Sequence, residues 1–149
     1  VLSIGPGFLN TARRLYMNIG CTLPERQAHD LLCAVALARN AFGFKNIVVF
    51  GAARMAAQAL YAGLLDDAIN EIILESPPAT HDSDDAAEFL AVLQTGDIAE
   101  NTVLAHPRAL AFVGDVPPEF EIVDSVYKLA GHGKKVRRIA STKEWTPNK

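Results

Sequence analysis

Asn46-Ile47-Val48-Val49-Phe50-Gly51-Ala52-Ala53-Arg54-Met55-Ala56-Ala57-Gln58-Ala59-Leu60 decides the fold class. Ile47 to Phe50 is a continuous apolar run, bounded by Asn46 and Gly51. An unbroken run, unlike an alternating one, marks a strand covered on both faces, as in a parallel sheet flanked by helices. Gly51 ends that strand. Ala53 to Leu65 is then rich in Ala, Leu, Met and Gln, all good helix formers. Strand, small-residue turn and helix make one unit of an α/β fold.

The pattern extends in both directions. Upstream, Glu25 to Phe42 carries Leu31, Leu32, Val35, Ala36 and Ala38 at helical spacing, with Arg26, Asp30 and Arg39 for the other face. Pro24 at its start and Gly43 after its end fit a helix opened and closed there. Downstream, Glu71 to Leu74 reads as a strand broken by Ser76-Pro77-Pro78. Asp84 or Asp85 is positioned to cap a helix through Phe89 to Leu93, before Gly96. Arg108 to Val113 is a further buried strand, closed by Gly114-Asp115. Glu119 to Ala130 is a helix stopped by Gly131 and Gly133. Val136 to Ala140 alternates, as an edge strand does. At the start, Val1 to Ile4 reads as a strand, Gly5-Pro6-Gly7 as its turn, and Asn10 or Thr11 as the start of a helix through Tyr16. The fold class expected is α/β, a parallel sheet with flanking helices joined by right-handed crossovers.

The chain has 149 residues, 50% hydrophobic and 21% charged, with a net charge of -3. That is one domain's length, enough to bury a core. The densest basic cluster, Lys134, Lys135, Arg137 and Arg138, alternates with apolar residues in a strand, which argues against a nucleic-acid partner. No apolar stretch reaches about 18 residues, so no membrane association is expected. Cys33 lies in the apolar run Leu31 to Val35, where a thiol packs as a small hydrophobe. A Cys21–Cys33 disulfide stays open on spacing alone.

The turn after Phe50 carries the chemical question. In α/β hydrolases the nucleophile lies on a sharp strand-to-helix turn with the pattern Gly-x-Ser-x-Gly, because strand and helix approach closely there. Aligning Gly51 with the leading glycine puts Ala53 at the nucleophile position and the bulky Met55 at the trailing glycine. On this turn alone, a plain strand–turn–helix unit of another α/β fold remains equally open.

A wider resemblance favours the hydrolases. Gln27, Asp30, Leu31, Leu32 and Ala34, then Ile47 to Gly51, then Ala59, Leu60, Ala62, Leu64 and Asp66 follow a family pattern. Ile72-Ile73-Leu74-Glu75 and Ser76-Pro77-Pro78 continue it, and Leu110 to Val113 and Val126 to Gly131 do so more weakly. This pattern resembles the acetyl xylan esterase-like branch of the α/β hydrolases, over about four-fifths of the chain. It implies a partial three-layer sandwich, one domain over residues 1–149 without the family's N-terminal strands.

The resemblance also implies where a triad would stand. Asp115, after the strand ending at Val113, is in the usual place for the acid, and Glu75 is in the alternative one. Such a carboxylate orients an imidazolium. Each also reads more plainly, Asp115 as a turn residue before two prolines and Glu75 as a local contact. The histidine belongs in the loop after the last strand, Ser141-Thr142-Lys143-Glu144-Trp145-Thr146, which contains none. His132 reads as an exposed residue ending a helix, His29 lies on a helix, and His106 precedes Pro107 in a loop. Nucleophile and base positions are both empty.

Two other signals compete with this reading. Ile4-Gly5-Pro6-Gly7 resembles the start of a nucleotide-binding loop but lacks the third glycine, and Pro6 removes an N–H. Thr80-His81-Asp82-Ser83-Asp84-Asp85 gathers oxygens and an imidazole without calcium-loop spacing, and reads as a capping, solvated acidic turn. No cofactor and no metal are therefore expected. The leading expectation is a hydrolase-like domain without its own Ser–His pair, serving as a structural or binding unit. The alternatives are a carbohydrate esterase completed from outside the chain, with a carbohydrate ester as ligand, and a Rossmann-like small-molecule binder using Gly5 and Gly7. A partial sheet leaves an open edge, so a homo-oligomer or a complex with another chain is expected.

Overall fold

The computed structural model describes residue 11 and residues 14–146. The expected strand and glycine turn at Val1 to Gly7, and with them the nucleotide-loop reading of Gly5 and Gly7, lie outside the described residues.

Helix α1 (Leu23–Asn40) opens on a reciprocal cap. The Thr22 hydroxyl accepts from the Glu25 N–H at 3.2 Å, and the Thr22 N–H donates to the Glu25 carboxylate at 2.7 Å. Two otherwise orphaned donors are thus satisfied. Gly43, left-handed at φ 69°, closes the helix with its N–H on the Arg39 carbonyl. Strand β1 (Ile47–Ala52) follows, then a 3-10 turn (Ala53–Met55) leading into α2 (Ala56–Leu65). After β2 (Ile69–Glu75) come α3 (Ile98–Val103), β3 (Ala109–Val113), α4 (Glu121–Leu129) and β4 (Val136–Ile139).

The four strands among the described residues are all parallel, in the order β1-β2-β3-β4. An order that advances steadily through right-handed crossovers places every connecting helix on the same face. The packing follows. Val35 of α1, Leu60 of α2, Ile98 of α3 and Val123 and Tyr127 of α4 share one core with Val49, Ile72, Leu74, Leu110 and Phe112 of the sheet. The α/β class, with a parallel sheet and flanking helices, is as expected.

The opposite sheet face is dressed differently. Ile73, Ala111 and Val113 pack there with Val48, Ile139 and Trp145, which follows the 3-10 turn Thr142–Glu144. Glu71 is 2% exposed on this side, ion-paired to Arg137 and accepting from the Trp145 indole N–H at 3.2 Å. Phe50 stays 50% exposed. Among the described residues, then, helices fill one of the two flanking layers and the Trp145 segment alone dresses the other. Strand β1 has an interior strand's composition but stands at the end of the strand order.

Three local expectations change. No helix runs through Phe89 to Leu93; the helix begins at Ile98, because Asp97 and Glu100 form a complete capping box there. Only a 3-10 turn, Val92–Gln94, occupies the earlier stretch. Cys33 is exposed on the outer side of α1 and Cys21 is partly buried, and both thiols are free. His132 is half-buried, not exposed, because its Nδ1 lies 2.8 Å from Nε2 of His106.

Candidate functional site

The turn between β1 and α2 is as tight as its sequence suggested. A Cβ on Gly51 would lie 2.8 Å from both Ala56 Cα and Ala59 Cβ, and would overlap the Met55 carbonyl oxygen. Only glycine lets strand and helix approach this closely. Met55 does not obstruct the turn, since it is 45% exposed and its sulfur lies 3.3 Å from the Gln58 amide nitrogen. Ala53 takes a left-handed backbone, φ 46°. A residue with a Cβ adopts that conformation at a cost of about 1–2 kcal/mol.

Two neighbouring strands end in the same way. Ala52, Glu75 and Val113 are in register across β1, β2 and β3. The residues that follow them, Ala53, Ser76 and Gly114, have φ of 46°, 43° and 71°. The Ser76 N–H donates to the Val113 carbonyl at 2.9 Å, and the Gly114 N–H donates to Ile139 at 3.0 Å. A Cβ on Gly114 would meet the Ser76 hydroxyl oxygen at 3.0 Å. Left-handed non-glycine residues concentrate where function over-determines the backbone. In open α/β sheets, ligands bind outside the carboxyl ends of the strands. This row of strand ends is the candidate site.

Asp115 follows Gly114 at this edge and is exposed, while Glu75 ends β2 beside it and is partly buried. Both candidate acids therefore stand at the same sheet edge as Ala53. Glu75 lies one strand from β1 and Asp115 follows a strand two places away, or roughly 5 and 10 Å at ordinary strand spacing. Ser76, which in the sequence reads only as part of a strand breaker, joins them as a hydroxyl. Its only local signal was its place immediately before Pro77-Pro78. The histidines lie elsewhere. His106 and His132 precede β3 and β4 and belong to the opposite edge of the sheet. His29 is exposed on α1.

His81 turns inward. Its Nε2 lies 2.7 Å from the Tyr61 hydroxyl, which also accepts from the Asn101 amide at 3.0 Å. The Phe89 ring packs on Tyr61, with centroids 4.7 Å apart. Burial pushes the Tyr61 phenol up to about 12 and holds the His81 imidazole below its ordinary 6.5. Both groups are therefore neutral partners near pH 7. Burial opposes ionisation of Asp97 as well, but the Thr80 side chain and the His81 and Ile98 N–H groups outweigh it and lower its pKa. Beside this network runs a cleft of about 780 Å³ between α1, α2, the β2–α3 connection and α3.

The acidic stretch from Thr80 to Asp85 is tied by local turns, with the Thr80 hydroxyl accepting from the Asp82 N–H and the Ser83 hydroxyl donating to the Thr80 carbonyl. Among the described residues no three His, Cys, Asp or Glu side chains are grouped to hold a metal ion.

No protein-family model matches the sequence, and no curated protein matches it either. Solved structures do. A protein from Bacteroides fragilis described as an acetyl xylan esterase superposes with a TM-score of 0.69 at 14% identity, over 92% of this chain and 41% of its own. A methylesterase superposes with a TM-score of 0.54 at 19% identity, over 82% of this chain and 32% of its own. The chain thus shares its α/β fold with these two esterase structures, and it spans less than half the length of either protein.

Proposed function

We propose that this chain is an acetyl xylan esterase-like α/β-hydrolase domain that has lost its own Ser–His catalytic pair and serves as a non-catalytic binding or structural unit. The observation that carries this reading is Ala53, left-handed at φ 46° in the tight turn between β1 and α2. The turn has the backbone of a nucleophile position and a methyl group in place of the nucleophile. A methyl group cannot attack a carbonyl. Residues 141–146, after the last strand, hold no imidazole to act as base. Asp115 and Glu75 remain as candidate acids, but an acid orients a base and does not replace it. The test is turnover of p-nitrophenyl esters of short acyl chains, with labelling by a serine-directed fluorophosphonate. Neither turnover nor labelling is expected.

A second reading is a carbohydrate acetyl esterase whose catalytic elements come partly from outside this chain. It is favoured by the coverage of 41% and 32% of the two esterase structures, and by the half-exposed Phe50 on β1, the outermost of the described strands. A carbohydrate ester would be the ligand in either reading. Among the described residues no strand pairs with the outer side of β1, which also favours pairing with a second copy or another chain. Light scattering at micromolar concentration tests this; a monomer would contradict it.

A further inference from the structure

The connection from β2 to α3 contains one short 3-10 turn, Val92–Gln94, and is otherwise irregular. It roofs the cleft of about 780 Å³, which Leu32, Tyr61, Leu64, Phe89, Leu90 and Leu104 line. Two side chains fasten this roof from beneath. Phe89 packs on the Tyr61 ring, and His81 bonds the Tyr61 hydroxyl. Ala91, in the same segment, is left-handed at φ 55°, so the roof also holds one strained residue.

Counting hydrogens shows how this fastening depends on the imidazole. The Asn101 amide spends its two hydrogens on the Tyr61 oxygen, at 3.0 Å, and on the Gly96 carbonyl, at 2.8 Å. The Tyr61 O–H is left to donate to His81 Nε2. That requires a neutral ring with its proton on Nδ1, which faces the Ala87 carbonyl at 3.4 Å. If Nε2 gains a proton, it becomes a donor and the Tyr61 hydrogen loses its acceptor. The charged ring can then donate to the Tyr61 oxygen, which already accepts from Asn101, but the half-buried Tyr61 hydrogen is left without an acceptor, and that unpaired donor favours opening.

We propose that His81 is a proton-sensitive latch: protonation of Nε2 releases the connection around Phe89 to Thr95 from Tyr61 and opens the cleft beneath it. The groups facing the ring are Tyr61 from α2, Asn101 from α3, the Ala87 carbonyl from the same connection, and Asp97 at the cap of α3. Asp97 accepts the His81 backbone N–H at 2.8 Å and favours the charged ring, whereas burial opposes it more strongly. Release therefore belongs to mildly acidic solution, below the ordinary histidine value.

Amide hydrogen exchange of residues 82–95, corrected for intrinsic rates and compared at about pH 7.5 and about pH 5, tests the latch. Protection in this segment should fall about tenfold at the lower pH, the effect of losing one such bond, while β2 and β3 keep theirs. His81→Gln supplies an acceptor that does not titrate, and its protection should be independent of pH. An equal loss in His81→Gln, or no loss in the parent chain, overturns the proposal. Should the variant fail to fold, NMR of the parent chain decides. The titration of the His81 imidazole must coincide with the shifts of the Leu90 to Thr95 amides, and separate midpoints overturn it.

Discussion

Gly51 and Ala59 press together where β1 turns into α2: a Cβ on Gly51 would sit 2.8 Å from the Ala59 Cβ. The Met55 carbonyl oxygen, closer still, and Ala56 Cα also stand in the way, and backbone cannot rotate aside as a side chain can. Gly51→Ala should therefore destabilise the fold by about 2–3 kcal/mol, the upper part of the usual overpacking range. Urea denaturation measures this. A loss within experimental error would mean that the close approach does not hold in solution.

Ala53 predicts the reverse sign. Its left-handed backbone costs about 1–2 kcal/mol for a residue with a Cβ, while glycine's extra freedom in the unfolded chain costs about 0.5–1 kcal/mol. Ala53→Gly should thus stabilise by roughly 0.5–1 kcal/mol, read as a higher denaturation midpoint. A destabilised glycine variant would show that the turn is not strained.

The sequence made this turn legible, since an apolar strand, Gly51 and an alanine-rich helix are all local signals. The four described strands were legible for the same reason. Helix α3 was not, although Asp97 and Glu100 already spelled its capping box; six residues with little apolar periodicity gave no other sign. The inward turn of His81 had no local signal at all. It depends on Tyr61, twenty residues earlier, and on Asn101, twenty later. Ser76 likewise shows its place beside Gly114 only once parallel pairing brings β2 and β3 into register.

His81 also fixes the sign of one pH dependence. Its folded pKa lies below 6.5 because of burial. Below that value the unfolded chain takes up more protons than the folded one, so stability is present above pH 6.5 and declines as the pH falls. Asp97, held low in the fold despite its burial, adds a further loss as the pH falls below 3.8. Denaturation midpoints across this range should show both. His81→Gln should flatten the upper part, and a parent chain that gains stability between about pH 6.5 and 5 would refute the assignment.

Glu71 joins Arg137 and the Trp145 indole on the lightly covered sheet face. Glu71→Ala leaves a guanidinium largely enclosed without its partner, at a cost of about 3 kcal/mol, the lower end for such pairs because Arg137 keeps some solvent contact. Trp145 is the only tryptophan, so its fluorescence reports the change directly. Native emission should shift to the red as the indole loses its anchor; unchanged emission and stability would show that the segment is held by other contacts.

On the proposed function, the turn at Ala53 keeps a nucleophile's position without a nucleophile. Steady-state hydrolysis of p-nitrophenyl acetate, with and without fluorophosphonate, decides this. A rate indistinguishable from buffer, no covalent adduct by mass spectrometry, and no gain in Ala53→Ser alone are expected, because residues 140–149 hold no histidine to act as base. Saturable turnover by the parent chain that fluorophosphonate abolishes would contradict it.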